Sequence, residues 1–175
     1  MDLKKYIRSI QDYPKKGILF RDITTLIKNP DAFKFANDKI IEISKKIEFD
    51  KVSAIESRGF VFASNISYSL NKPLILLRKK NKLPAETHSV DFKLEYGEAT
   101  IEVHKDSIEK GEKILVIDDL IATGGTAEAA AKLIEISGGK VAGFIFVINL
   151  FDLPGNNLLK GKGYKTESLI EFPGH

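Results

Sequence analysis

The 175-residue chain contains no cysteine. Disulfides and thiolate metal sites are therefore excluded, and the composition fits a reducing compartment, so a cytoplasmic protein is expected. No apolar run approaches the ~20 residues that a membrane-spanning helix needs. The opening MDLKKYIRSI is charged and lacks the apolar segment of a secretory signal. Two nucleotide-binding signatures are also missing. There is neither G-x-x-x-x-G-K-[ST] nor G-x-G-x-x-G, which removes a Walker-type loop and the dinucleotide fingerprint. The formal net charge of +3 is too small to argue for a nucleic-acid partner by itself. Neither a solenoid period nor a low-complexity linker occurs. What is present, 43% apolar and 29% charged residues, suffices for one buried core, so residues 1–175 are read as a single domain.

The most informative run is KILVIDDLIATGGTAEAA, Lys113 to Ala130. Ile114 to Ile117 is the unbroken apolar run that a strand buried on both faces requires, and it ends at two adjacent carboxylates, Asp118 and Asp119. Thr123-Gly124-Gly125-Thr126 then supplies hydroxyls and side-chain-free backbone, and a helix is predicted over Ala127 to Ile136. Such a helix start leaves backbone N–H groups without partners and carries positive dipole, so a phosphate can sit in the Ala122 to Thr126 loop. Asp118 and Asp119 lie just outside that pocket, where two neighbouring sugar hydroxyls can donate to them. The pattern fits a phosphorylated ribose.

Along the rest of the chain, Leu3, Ile7 and Ile10 mark one face of a short N-terminal helix, 12–17 reads as a turn, and 18–25 alternates too poorly for a strand and is expected as an ordered loop. Asn29-Pro30 caps a helix running to about Ile47. Lys51–Ile55 is a strand, Glu56–Gly59 a polar turn, Phe60–Leu70 a helix and Leu74–Leu77 a strand. Ile114 to Leu150 repeats the βαβ unit, with Gly138-Gly139 as helix stop and Val141–Asn149 as the returning strand. These units predict an α/β fold, a mostly parallel twisted sheet flanked by helices, with ligands outside the carboxyl ends of the strands. Residues 78–113 form a long insertion with poor periodicity, and the alternation of Thr100–His104 predicts a two-stranded hairpin flap within about 79–105. A short edge strand is expected at Ser168–Phe172. Arg78, Lys79, Lys80 and Lys82 put four cations after a strand end, as a solvated run or an anion site.

At this point the residues carry a family resemblance. VIDDLIATGGTA, Val116 to Ala127, resembles the phosphoribosyl-pyrophosphate motif of the type I phosphoribosyltransferases, and its Leu120-Ile121-Ala122 filling resembles the adenine branch. Four further stretches match in the family's order. Gly17 to Thr24 resembles G-x-x-F-R-D-I-T, which implies an N-terminal cover, about 1–30, with Phe20 stacked on the purine and the backbone of Leu19 and Arg21 at its edge. Glu56 to Phe60 resembles E-S-R-G-F, which implies diphosphate contacts from Ser57 and Arg58, with Arg58 also toward the base. Arg78 to Pro84 resembles R-K-x-x-K-L-P, giving Arg78, Lys79 and Lys82 to the diphosphate. Leu94 to Gly97 resembles the flap motif L-E-Y-G, in which Glu95 handles a proton on a purine ring nitrogen and Tyr96 helps close the site. Without these surroundings Phe20 reads as core packing and Glu95 as surface, and His88 has no motif support.

The resemblance implies transfer of ribose 5-phosphate from phosphoribosyl pyrophosphate to adenine, giving AMP and pyrophosphate. It also implies Mg²⁺ held mainly by substrate and water, with no direct protein ligand set, and a homodimer. Two alternatives remain: the same transfer to hypoxanthine, guanine or xanthine, or a non-catalytic phosphoribosyl-pyrophosphate sensor. The chain departs from the family at Tyr13-Pro14-Lys15-Lys16-Gly17, at Thr25 and at Ala54, none of them an expected site residue.

Overall fold

The computed structural model describes residues 1–94 and 97–175. Among the described residues no helix is long and apolar enough to cross a membrane. The N-terminal segment, expected as a cover, begins with a single 3-10 turn over Leu3–Tyr6, after which β1 (Arg8–Gln11) pairs antiparallel with β2 (Leu19–Asp22) as a separate two-stranded ribbon. The helix expected through Leu3, Ile7 and Ile10 is thus only one turn. Leu3 and Ile7 do reach the core, but Ile10 lies on β1 opposite Phe20. The stretch expected as a loop is β2 followed by α1 (Thr24–Lys28). Its order comes from polar bonds that leave no apolar period. The Asp22 carboxylate accepts from the Thr24 N–H at 2.9 Å and hydroxyl at 2.6 Å and pairs with Arg8, while the Thr25 hydroxyl donates to the Tyr6 carbonyl at 2.6 Å.

In α2 (Pro30–Ser44) the Asn29 side chain accepts from the Ala32 N–H at 2.9 Å, and proline occupies the first turn, where no donor is needed. The helix stops short of Ile47, with the Ser44 hydroxyl turned back onto the Ile40 carbonyl at 2.7 Å. The two βαβ units follow in the expected order, with α3 and α4 each starting two residues early and β7 running on past Ile117 through both aspartates: β3 (Lys51–Ile55), α3 (Arg58–Leu70) and β4 (Leu74–Lys79), then β7 (Lys113–Ile121), α4 (Gly125–Ile136) and β8 (Lys140–Leu150). Between them β5 (Thr87–Leu94) and β6 (Gly97–His104) form the expected hairpin, in continuous register from Thr87↔His104 to Leu94↔Gly97. After β8 come a seven-residue helix, α5 (Gly155–Gly161), and the edge strand β9 (Thr166–Phe172).

The seven-stranded sheet has the order β5-β6-β4-β3-β7-β8-β9. Strands β4, β3, β7, β8 and β9 run parallel, and the hairpin joins antiparallel at the β4 side. Successive residues of β7 feed two cores. Leu115 and Ile117 pack with Ile40, Phe62 and Ile66 from α2 and α3, whereas Ile114 and Val116 pack with Leu133, Ile134 and Leu159 from α4 and α5. Burial on both faces explains the unbroken apolar run.

Candidate active site

Strand β3 lies between β4 and β7, and the chain leaves β3 and β7 in opposite directions. It leaves β3 through α3 toward β4 on one face, and β7 through α4 toward β8 on the other. The divergence opens a crevice at the carboxyl ends of the two central strands, the place where such sheets bind ligands. A cavity of about 380 Å³ occupies it, lined by Ser57, Arg58, Lys79, Asp118, Asp119 and the loop from Ala122 to Thr126. Pooling these residues, far apart in sequence, is the main outcome of the fold.

Asp118 and Asp119 stand on β7 itself, which continues to Ile121 along β8. Strand β3 ends at Ile55, and its register with β7 stops at Ala54↔Ile117, so β7 has no strand beside it from Asp118 onward on that side. This lets charge follow directly on a core strand. The first turn of α3 then comes so close that a Cβ on Gly59 would lie 2.9 Å from Asp118 Oδ1 and 3.0 Å from the Ile117 carbonyl. Enclosure of the Asp118 carboxyl, with the Asp119 charge as the next contribution, pushes its pKa well up. Asp119 is buried and paired with the Arg58 guanidinium. Arg58 in turn lies 5.9 Å from the centroid of the Phe20 ring, so it joins the carboxylate end of the cavity to the N-terminal cover.

At the other end, Gly124 has φ +90°, and no side chain caps α4. The first N–H groups of α4 are therefore left for an anion. Gly125 sits under β5, where a Cβ would lie 3.3 Å from the Lys93 carbonyl, so the hairpin overhangs this loop.

The cations after β4 divide into different roles. Lys79 lines the main cavity, and Lys82 lines the adjoining one beneath Phe92 and Leu94 of the hairpin. Arg78 departs from the expectation. Its guanidinium donates to both Glu56 oxygens at 3.3 Å and to the Lys82 carbonyl at 3.2 Å, holding the turn instead of lining the cavity. Glu56 also accepts from the Lys79 N–H at 3.0 Å, and that bond leads the causes that hold its pKa below the usual range. Glu56 is a site residue that the sequence reading did not assign. Its signal was a carboxylate at a strand end, two positions before Arg58, and the Glu56–Ser57 peptide bond is cis.

Leu19, Phe20 and Arg21 lie on β2 and do not line the main cavity. Phe20 packs edge-on against Tyr13 at 5.1 Å. The Arg21 guanidinium lies over Phe172 at 4.5 Å and donates to the Pro173 carbonyl at 2.9 Å, so its side chain is committed to the C-terminal tail. Glu95 and Tyr96 lie outside the described residues.

This geometry has counterparts among known proteins. The phosphoribosyl transferase domain family matches residues 22–167. The adenine phosphoribosyltransferase of Pelagibacter ubique is 71% identical over the full length of both chains. Among solved structures, the adenine phosphoribosyltransferase of Thermoanaerobacter pseudethanolicus superposes with a TM-score of 0.93 at 43% identity, covering 98% of both chains. That of Saccharomyces cerevisiae, solved with adenine and an imino-altritol bisphosphate, gives a TM-score of 0.84 at 30% identity, covering 97% of both. With the sugar-phosphate run, the crevice and the whole-length match in agreement, the chain belongs to the phosphoribosyltransferase family, in its adenine phosphoribosyltransferase branch.

Proposed function

We infer that the chain transfers the phosphoribosyl group of phosphoribosyl pyrophosphate to adenine, forming AMP and pyrophosphate in purine salvage. The observation that carries the reading is one cavity with the uncapped α4 N-terminus at one end and the Asp118–Asp119 pair at the other. These are a phosphate cradle and a diol acceptor. In the reaction the bond from ribose C1′ to the pyrophosphate oxygen breaks and a bond to adenine N9 forms, while the N9 proton leaves. Positive charge develops on the ribose as the leaving group departs. The two aspartates favour that charge and hold the ribose hydroxyls, and the Ala122–Thr126 loop anchors the 5′-phosphate and so orients C1′. Ser57, Arg58, Lys79 and Lys82 serve the diphosphate, with Arg78 and Glu56 setting the turn that presents Lys79. Leu19, Phe20 and Arg21 serve the purine, and Glu95 is assigned the proton at a purine ring nitrogen.

Among the described residues no group of three or more histidine or acidic side chains could hold a metal by itself. The reading takes Mg²⁺ as brought in on the diphosphate, with Glu56, Asp118 and Asp119 as the carboxylates that line the cavity. Such an ion supplies charge neutralisation of the leaving group. A cytoplasmic homodimer completes the reading.

The test is pyrophosphate release from phosphoribosyl pyrophosphate and Mg²⁺ with adenine, hypoxanthine, guanine or xanthine supplied separately. Release with adenine is expected. Release with an oxopurine alone would overturn the base assignment, and silence with all four would overturn the transfer. Glu95→Gln should lower turnover while leaving phosphoribosyl pyrophosphate affinity intact, and unchanged turnover would remove Glu95 from the chemistry.

A further inference from the structure

The loop that faces the cavity with its amides must be held from behind. Its support comes from a segment far along the chain. The Gly155 N–H, at the start of α5, donates to the Ala122 carbonyl at 2.9 Å. A Cβ on Gly155 would lie 2.5 Å from that carbonyl oxygen, 2.7 Å from the Gly124 N and 2.8 Å from Ile121 Cγ1. A Cβ on Gly124 would in turn lie 2.8 Å from the Gly155 Cα. Two backbones therefore lie against one another with no side chain between them. Gly124 needs to be glycine for its left-handed φ as well, but Gly155 has no such requirement. Space alone restricts position 155, and most of the atoms that restrict it are backbone atoms of the 121–124 segment.

We propose that Gly155 is a positioning residue for the 5′-phosphate loop, with the first turn of α5 as the backstop that sets where the Thr123 to Thr126 amides point. The proposal rests on the phosphoribosyl-transfer reading. The Pro154 carbonyl accepts from the Leu158 N–H at 2.8 Å, closing the turn that presents Gly155. Leu158 adds a side-chain contact, its Cδ2 lying 3.3 Å from the Cβ position of Gly124. Even one methyl at 155 must drive the loop toward the cavity, because the backbone atoms of Ala122 and Gly124 cannot rotate away as a flexible side chain can. A displacement on the scale of 1 Å at an anchoring group reduces productive binding by roughly tenfold to a hundredfold.

The experiment compares AMP with adenosine, which lacks the 5′-phosphate, by titration calorimetry on the whole chain. In Gly155→Ala the AMP dissociation constant should rise by about tenfold or more while that of adenosine stays within about twofold, so the preference for the phosphorylated ligand collapses. Equal loss for both ligands would make Gly155 a general structural residue and overturn the proposal, as would no loss for either. Should Gly155→Ala fail to fold, Leu158→Ala decides. Half-buried Leu158 can be truncated without opening the core, and a selective AMP loss of about threefold is expected; equal binding to wild type would overturn the backstop. A wild-type protein that binds AMP no better than adenosine would sink the phosphate-loop reading and this proposal together, which separates that failure from the others.

Discussion

Asp118 is the residue at which function and stability pull apart. Its half-buried carboxyl is partly stripped of water and sits beside a second carboxylate, and both conditions disfavour the ionised form. An acid whose pKa is raised by folding stabilises the fold fully below its unfolded value near 3.8, and that contribution is lost as pH rises through the raised value. At neutral pH the unfolded chain ionises this carboxyl freely, whereas the fold opposes its charge. Asp118→Asn should therefore melt higher than wild type at pH 7, by about 2–4 °C for each kcal/mol relieved, with the gap closing toward pH 4. The same variant should bind AMP more weakly if Asp118 accepts from the ribose hydroxyls as proposed. Calorimetric melts across pH with AMP titrations check both halves, and a variant less stable than wild type at pH 7 would refute the account. Asp119 differs because Arg58 neutralises it. Replacing Arg58 with Ala leaves a buried carboxylate without its partner, so a loss of about 1–3 kcal/mol in denaturant unfolding is expected.

At the scale of elements, the cover depends on a single carboxylate. Asp22 holds the Thr24 amide and hydroxyl and the Arg8 guanidinium, and the Thr24 hydroxyl is the leading reason its pKa falls to about 2. A lowered pKa contributes stability that is present above the unfolded value and lost as pH falls toward about 2. Asp22→Ala should cost about 1–3 kcal/mol near neutrality and nothing once both forms are protonated. Because β2 carries Leu19, Phe20 and Arg21, its KM for adenine should rise while that for phosphoribosyl pyrophosphate stays put, and a rise in both would place the cover elsewhere in the reaction. This element also marks where sequence reading ran out. Helix α2 was legible from its Asn29-Pro30 cap, and β7 from the apolar run that burial on two faces demands, because those signals are local. The ribbon β1–β2 was not legible. Its strands are four residues long with mixed burial, and polar bonds from Asp22 and Thr25 order its surroundings. In the site, the aspartates and the glycine loop were readable as chemistry. Arg78 was not, since its place on Glu56 follows from how two strand ends meet, and Gly155 carried no local signal because the loop it supports is three decades of residues away.

For the whole molecule, strand order carries a consequence that no single element shows. Ile75 and Leu77 of β4 point into the core under α4, so by the period of a strand Leu76 points to the face that carries α3. Its cover there is incomplete. Leu76 stays 39% exposed although β4 has β3 on one side and β6 on the other, and Tyr68 of α3, on the same face, is 90% exposed. A part-exposed leucine in an interior strand, beside an exposed tyrosine, is the kind of surface that a second copy buries, and two copies related by a twofold axis can each present the same patch. The homodimer in the proposed reading would be seated here. Light scattering should then return twice the 19.5 kDa chain mass for the wild type. Leu76→Lys should fold, because the side chain is already in part in water, and should return the mass of one chain, since burying two ammonium groups against each other opposes association. A wild type at a single chain mass would overturn the dimer, and a Leu76→Lys protein that remains paired would move its interface to another face.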